Sequence, residues 1–260
     1  MKGSIRELNI NFERESVTVV SGNTEEILGF GDPRAFEVIS KAWLRSGWDT
    51  KYVYGFTWLG RPIIQLPEDI IRIQEVIYDL KPDLVIETGI AHGGGLVLYA
   101  SILSAIGGGH VVGVDIDIRS QNRTEIEQHF LADCITLIEG SSVEAKVLDQ
   151  VRPIVERAKR VLVILDSNHS CEHVLMELNA YGAFVTKGSY IVATDGIMQD
   201  LVGAPRSNSD WDINNPQKAV ELFLGMNNEF EIFPPEKLFN EGQILEEITY
   251  WPNAWLKKVK

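Results

Sequence analysis

Carboxylate, imidazole and hydroxyl side chains follow several short apolar runs of the sequence, each at the point where the run ends. Three such runs read LVIET (84–88), HVVGVDID (110–117) and RVLVILDS (160–167). The residues at these ends that could do chemistry are Glu87, Asp115, Asp117, Ser141, Asp166, His169, Thr194 and Asp195. Carboxylates can hold a divalent cation or accept hydrogen bonds from ligand hydroxyls. An imidazole can accept a proton near neutral pH.

A glycine-rich turn, GIAHGGG (89–95), follows the first run. Glycine is tolerated where the backbone bends sharply or lies very close to another group, here expected to be a ligand. The turn matches neither the G-x-G-x-x-G dinucleotide pattern nor the G-K-[ST] ending of a phosphate-binding loop. With Asp115 or Asp117 placed to accept from ribose hydroxyls, and Glu87 beside a charged end, S-adenosylmethionine is favoured, while NAD and other ligands stay open.

The elements that must position these residues alternate between strand and helix. The strands are predicted at LVIET, HVVGVDID, CITLIEG, RVLVILDS and GSYIVATDG, with helices between them and a helix over PEDIIRIQEVIYDL before them. Strands that are apolar throughout are buried on both faces, as in a parallel sheet covered by helices. We therefore predict a doubly wound, mostly parallel, Rossmann-like α/β fold, whose ligands bind beyond the carboxyl ends of the strands. This domain is predicted over residues 61–260, after an N-terminal extension over residues 1–60.

Composition excludes some classes of function. The net charge of −13 argues against nucleic acid, which requires a concentrated basic surface. No stretch approaches the roughly 18 uncharged apolar residues of a membrane-spanning helix, and the N-terminal residues lack an apolar signal-peptide core. These features predict a cytoplasmic protein. Two cysteines are too few for a disulfide framework.

Several segments in order resemble the cephalosporin hydroxylase / rhamnosyl O-methyltransferase family. They are TWLGRPIIQLPEDIIRIQEVI, DLVIETGIAHGGG, VVGVDIDIRSQNR, ITLIEGSS, VILDSNHSCEHVLMELNAYGAFVTKGSYIVATDG, INNPQKAVELFL and AWLKKV. The resemblance implies a class I methyltransferase fold, bound S-adenosylmethionine, and a divalent metal such as Mg²⁺ beside the methyl donor. It also implies a hydroxylated small-molecule acceptor, such as a sugar, a glycolipid or an antibiotic, and a homo-oligomer with the N-terminal segment at an interface.

The resemblance also assigns residues. The candidate cofactor contacts are Gly89, His92, Gly93, Gly94, Asp115, Ser141 and Asp166, in addition to Glu87 and Asp117 from the spacing. Asp166 matches the first metal carboxylate of the family. In that family the fifth strand ends in an acidic pair, and at the corresponding position this chain has Thr194 and Asp195. The predicted metal ligands are therefore Asp166 and Asp195, with Thr194 as a third candidate that lacks the expected charge.

For catalysis, Asp166 would act through the metal, and His169 or His92 would act as the general base. Two other readings remain open. One is an NAD-dependent oxidoreductase, although no Y-x-x-x-K pair is present. The other is a non-catalytic binding subunit with a degraded metal site, for which Thr194 is the argument.

Overall fold

The computed structural model of the 260-residue chain describes residues 5–237, 239, 241–242 and 244–260. The helices are α1 (Pro33–Asp49), α2 (Pro67–Leu80), α3 (Gly94–Ala105), α4 (Ser120–Glu127), α5 (Ala145–Val155), α6 (Cys171–Gly182) and α7 (Pro216–Met226). The strands are β1 (Ile5–Asn11), β2 (Ser16–Ser21), β3 (Thr24–Gly29), β4 (Phe56–Trp58), β5 (Arg61–Ile63), β6 (Leu84–Thr88), β7 (His110–Asp115), β8 (Ile135–Glu139), β9 (Val161–Leu165), β10 (Tyr190–Ala193), β11 (Phe230–Ile232) and β12 (Trp255–Lys258). None of the helices in this described part of the chain is long and apolar enough to cross a membrane.

The described residues form two compact units, one from residues 5–50 and 237–248 and the other from residues 51–236 and 249–260. The first unit contains the predicted N-terminal extension as far as Thr50, whereas residues 51–60 belong to the second. The extent of the predicted extension, 1–60, stays a prediction.

The first unit contains an antiparallel three-stranded sheet, in the order β1-β2-β3, and helix α1. Val17 and Val19 on β2 are buried with Leu28 and Val38 in a small core. Helix α1 begins after Asp32, whose side chain accepts from the backbone N–H of Arg34, as a helix N-cap does.

The second unit contains a seven-stranded sheet in the order β11-β12-β10-β9-β6-β7-β8. The neighbours from β10 to β8 are all parallel, and β12 runs antiparallel to both β10 and β11. All five residues of β6 and of β9 are buried, because helices cover both faces. Leu84 and Ile86 pack on the side of α6, and Glu87 points to the opposite side, toward α3. The predicted doubly wound, mostly parallel sheet is confirmed.

The order in which the strands are added to the sheet switches sides between the neighbouring strands β6 and β9. Strands β7 and β8 extend the sheet on one side of β6, and β9 and β10 extend it on the other. The carboxyl ends are level, since Gly89 N–H donates to Val114 O (2.7 Å) and Asp166 N–H donates to Thr88 O (2.8 Å). The loops that follow β6, β7 and β9 therefore leave the same edge of the sheet, at the position where open α/β sheets bind ligands.

Candidate active site

The glycine turn after β6 is packed tightly against the protein itself. Gly89 has φ +90°, and a Cβ there would overlap the carbonyl oxygen of Asp166. Gly93 has φ +83°, and a Cβ there would overlap the side chain of Ile126. Both positions lie in the left-handed region that favours glycine. At these two positions the close approach expected for a ligand is made to neighbouring protein groups, so the glycines first of all allow β6, β9 and α4 to meet.

Asp115, at the end of β7, holds the amide side of the turn. Its Oδ2 accepts from Ile90 N–H (2.7 Å) and Ala91 N–H (3.3 Å), and its Oδ1 accepts from Asp117 N–H (3.1 Å). Asp117 itself is exposed. Of the two acids predicted to contact the cofactor, Asp115 is thus the one built into the turn.

Arg61, on β5, holds the carbonyl side of the turn. The buried guanidinium donates from Nε (2.9 Å) and Nη2 (2.6 Å) to His92 O, and it also pairs with Glu125. Asn122 on α4 donates to Ala91 O (2.8 Å). Hydrogen bonds from three separate elements therefore fix the shape of the turn.

A cavity of about 390 Å³ opens at this edge of the sheet. Its lining includes Gly89, Asp115, Ser141, Ser142 and Asp166, which lie at or just beyond the carboxyl ends of four different strands. A smaller cavity of about 40 Å³ beside it is lined by residues that include Glu87, His92, Gly94 and Asp166. A larger cavity of about 570 Å³ lies elsewhere, between α6, α7 and the turn at 227–229. It contains none of the predicted site residues, so we assign the chemistry to the cavity at the strand ends.

Most predicted cofactor residues therefore surround these two adjoining cavities. Gly93 and Asp117 do not line either of them. Glu87 is buried and accepts from the hydroxyl of Tyr99 (2.9 Å). Burial raises the pKa of Glu87 well above its usual value, and the charge of Asp166 raises it further. A contact between Glu87 and the charged end of a cofactor stays a prediction.

Asp166, His169 and Asp195 form a group that could hold a metal ion. Each offers one ligand atom, and these atoms all lie within 4.8 Å of one another. His169 Nε2 lies 3.4 Å from Asp195 Oδ2. Burial, and next the negative charge of Asp195, raise the pKa of Asp166 to about 7, and burial raises the pKa of Asp195. Two carboxylates that disfavour each other's charge, with an imidazole beside them, are a donor set that a divalent cation would stabilise.

Thr194 supports Asp166 from the interior. Its buried Oγ1 lies 2.6 Å from Asp166 Oδ1 and 2.9 Å from Leu165 O, while Gln65 Nε2 donates to Asp166 Oδ2 (2.8 Å). These contacts give Thr194 the part of a hydrogen-bond partner that orients the carboxylate. Its predicted role as a ligand stays a prediction, and His169 is the third member of the group.

Sequence reasoning named neither Arg61 nor Gln65 as a site residue. Both lie in the segment GRPIIQ, at residues 60–65, where a short hairpin precedes α2. The available signal was the presence of an arginine and a glutamine within an otherwise apolar segment that ends before the first residue of a helix, Pro67.

Comparison with known proteins identifies the relatives of this fold and site. Residues 50–259 match the family model described as rhamnosyl O-methyltransferase/CmcI. The chain belongs to this family. It is 28% identical over 168 residues to a rhamnosyl O-methyltransferase of Mycobacterium leprae, covering 64% of this chain and 69% of the relative. It is 30% identical over 146 residues to that of Mycobacterium tuberculosis (strain ATCC 25618 / H37Rv), covering 54% and 56%.

Solved structures of the rhamnosyl O-methyltransferase/CmcI family share the fold. The structure "CmcI-N160 apo-structure" is similar with a TM-score of 0.53 at 16% identity, covering 80% of this chain and 77% of that one. The structure "cmcI-D160 Mg-SAM" is similar with a TM-score of 0.51 at 15% identity, covering 80% and 78%. The predicted family, the predicted class I methyltransferase fold and the predicted O-methyltransferase class are confirmed.

Proposed function

We propose that this chain transfers the methyl group of S-adenosylmethionine to a hydroxyl of a sugar, a glycolipid or an antibiotic-like small molecule, assisted by a divalent metal. The observation that carries this proposal is the position of Asp166. It lines the cavity at the strand ends, lines the smaller cavity beside it, and belongs to the group that could hold a metal. A methyl donor in the cavity would therefore lie next to an acceptor oxygen held at the metal group.

The relatives support the choice of acceptor class and cofactor. Two of them are named rhamnosyl O-methyltransferases, and one similar structure is described with Mg and SAM. This chain aligns with 56 to 69% of the length of those two relatives. An NAD-dependent oxidoreductase, the other enzyme considered, has no support among these relatives. The acceptor itself remains part of the proposal.

The metal group fits Mg²⁺ or another divalent ion through Asp166 and Asp195, whose oxygens are the ligands that such ions prefer. A bound cation would supply Lewis-acid chemistry by lowering the pKa of the acceptor hydroxyl. Gln65 and Thr194 each hydrogen-bond to one oxygen of Asp166 and so restrict the orientation of that carboxylate. Hydrogen bonds of this kind, made to a metal-binding carboxylate by residues outside the metal group, orient the ligands of metal sites.

His169 is the general base in this proposal. Asp195 Oδ2 lies 3.4 Å from Nε2 and can hold that nitrogen as the N–H tautomer. Nδ1 is then free of a proton and can accept the one that leaves the acceptor hydroxyl. His92, which lines the smaller cavity, is the alternative base.

Asp115 is proposed to bind the ribose of the cofactor. A carboxylate has about four lone-pair positions, and backbone amides occupy three of them here. Oδ1 accepts a single bond from Asp117 N–H, so it can also accept a ribose hydroxyl. The turn and the ribose would then be held by the same side chain.

A cytoplasmic location and a homo-oligomeric state complete the proposal. The homo-oligomeric state is supported by exposed apolar side chains in the first unit, which include Phe12 and Ile27. Such side chains are often covered by a partner chain.

Calorimetry with S-adenosylhomocysteine tests the cofactor. We expect saturable binding to the wild-type chain, and an affinity about 10- to 100-fold lower in Asp115→Asn, because a hydrogen bond to a charged group contributes about 1.5–3 kcal/mol. Asp149→Asn makes the same chemical change at an exposed position of α5 and should bind as the wild type does. Absence of binding at millimolar S-adenosylhomocysteine, with binding of NADH instead, would reject the proposal.

A further inference from the structure

Helix α6 carries three polar side chains at four-residue spacing, His173, Glu177 and Tyr181. Residues four apart lie on one face of a helix. Their partners are Ser142, which lies just beyond β8, and Ser167, which lies just beyond β9. We call these three residues of α6 the polar ridge. None of its members was predicted to take part in the site.

Glu177 joins the two loops through one oxygen atom. Its side chain is fully buried, and Oε1 accepts from Ser142 Oγ (2.6 Å) and from Ser167 Oγ (2.7 Å). Both serines line the cavity at the strand ends. One carboxylate oxygen thus bridges these two parts of the cavity wall.

The other two members of the ridge hold Ser142 from both sides. His173 Nε2 lies 3.2 Å from Ser142 Oγ and 3.4 Å from Glu177 Oε1. Since the Ser142 hydroxyl donates its hydrogen to Glu177, it accepts from His173. The interaction with the Glu177 carboxylate raises the pKa of His173, which favours a positive charge beside this buried group. Tyr181 OH donates to the carbonyl of Ser142 (2.9 Å).

Stability alone does not explain a carboxylate at this position. Removing a carboxylate from water is costly, and well-packed apolar residues often stabilise a core as well as a buried ion pair does. The second oxygen of Glu177, Oε2, is buried and has no hydrogen-bond partner among the residues that the structure describes. What the carboxylate provides is the geometry of Ser142 and Ser167.

The ridge lies at the end of the cavity that is left for a purine. In the proposed function, the sulfonium of the cofactor lies near Asp166 and the ribose near Asp115. The remaining lining consists of residues such as Ile116, Ser142 and His173. Ile116 is largely exposed and offers an apolar surface on which a base can stack.

We propose that the polar ridge sets the shape of the purine end of the cofactor site, and that Glu177 is a positioning residue for it. This inference rests on the proposed function, because it assumes the direction in which the cofactor lies. It assigns no chemical step to the ridge. The ridge therefore affects the binding of the cofactor, and the metal group and the base keep their own roles.

The test compares Glu177→Met, which removes the acceptor at similar volume, with Glu177→Gln, which keeps one acceptor oxygen. For Glu177→Met we expect affinities for S-adenosylhomocysteine and methylthioadenosine that fall about tenfold or more, consistent with the loss of two hydrogen bonds to a charged group. The KM for S-adenosylmethionine should rise in parallel, with kcat and Mn²⁺ affinity within about twofold. Glu177→Gln should recover most of the affinity. Glu172→Met, at an exposed position of the same helix, should behave as the wild type does.

Tyr181→Phe is a milder variant that keeps the ring and removes only the bond to Ser142 O. It should weaken binding of S-adenosylhomocysteine by about 3- to 10-fold, and it tests the ridge even where Glu177→Met does not fold. Wild-type affinity in both Glu177→Met and Tyr181→Phe would overturn the inference, as would equal losses of kcat, Mn²⁺ affinity and cofactor affinity. A wild-type chain that does not bind S-adenosylhomocysteine would overturn the proposed function as well, so the two failures are distinguishable.

Discussion

Asp166→Asn is expected to abolish binding of Mn²⁺ and to lower kcat by about 10³-fold or more, because the variant loses the carboxylate shared by the cavity and the metal group. The asparagine keeps the shape of the side chain, so the sheet should remain folded. Isothermal calorimetry with Mn²⁺ and a methyl-transfer assay at saturating S-adenosylmethionine measure the two effects separately.

The stability of metal-free Asp166→Asn gives an internal control. In the folded wild type the pKa of Asp166 is raised to about 7 from an ordinary value of 3.8. The folded state therefore binds more protons in this interval, and the wild type loses stability as the pH rises from 3.8 through 7. Asp166→Asn removes that loss, so at pH 8, without metal, it should unfold no more easily than the wild type. Asp149→Asn should leave kcat unchanged, and wild-type Mn²⁺ affinity in Asp166→Asn would contradict the assignment.

His169→Gln is expected to lower kcat by about 10²- to 10⁴-fold, the usual contribution of a general base. Glutamine can still donate a hydrogen bond toward Asp195, but it cannot accept and release a proton near neutral pH. Affinities for S-adenosylhomocysteine and Mn²⁺ should stay within about threefold of the wild type, because the variant keeps both carboxylates of the metal group.

The same substitution at other histidines discriminates between the possible roles. His129→Gln removes an imidazole that lies 3.1 Å from Leu59 O, away from the cavities, and should leave kcat unchanged. A loss in His92→Gln and not in His169→Gln would assign the base to His92. Loss of Mn²⁺ binding together with kcat in His169→Gln would make His169 a metal ligand instead of the base.

The strand ends could be predicted because their signal is local. Apolar runs such as 84–88 and 161–165 are buried on both faces, and a parallel arrangement brings their carboxyl ends to one edge. The rule that ligands bind at this edge then selects Asp115, Asp166 and Asp195 without any coordinates. The structure places these three residues around the cavity and the metal group.

The side chains that fix the site could not be predicted, because their partners are distant in sequence. Arg61 bonds to His92, 31 residues away, and Gln65 bonds to Asp166, 101 residues away. Gly89 and Gly93, which sequence reasoning assigned to ligand contact, are packed against distant parts of the protein, and their contact with a ligand stays a prediction. The polar ridge had a local signal in its four-residue spacing, but that spacing alone does not identify Ser142 and Ser167 as partners.

Short or exposed strands were also outside the reach of the sequence pattern. Strand β1 is almost entirely exposed, and β3 has a single buried residue, so neither shows the alternation that identifies a half-buried strand. Strand β11 has three residues and, among the strands that the structure describes, pairs with β12 alone. These strands form by pairing with a neighbour, which no single segment of sequence reveals.

Nuclear magnetic resonance of S-adenosylmethionine labelled with ¹³C in its methyl group, bound to the enzyme with Mn²⁺ and without acceptor, tests most directly whether cofactor and metal share Asp166. Paramagnetic relaxation by Mn²⁺ depends steeply on distance. We predict strong relaxation of the methyl carbon in the wild type and its loss in Asp166→Asn. A methyl carbon that relaxes as it does without Mn²⁺, while calorimetry shows cofactor and Mn²⁺ bound to the same chain, would contradict a shared site.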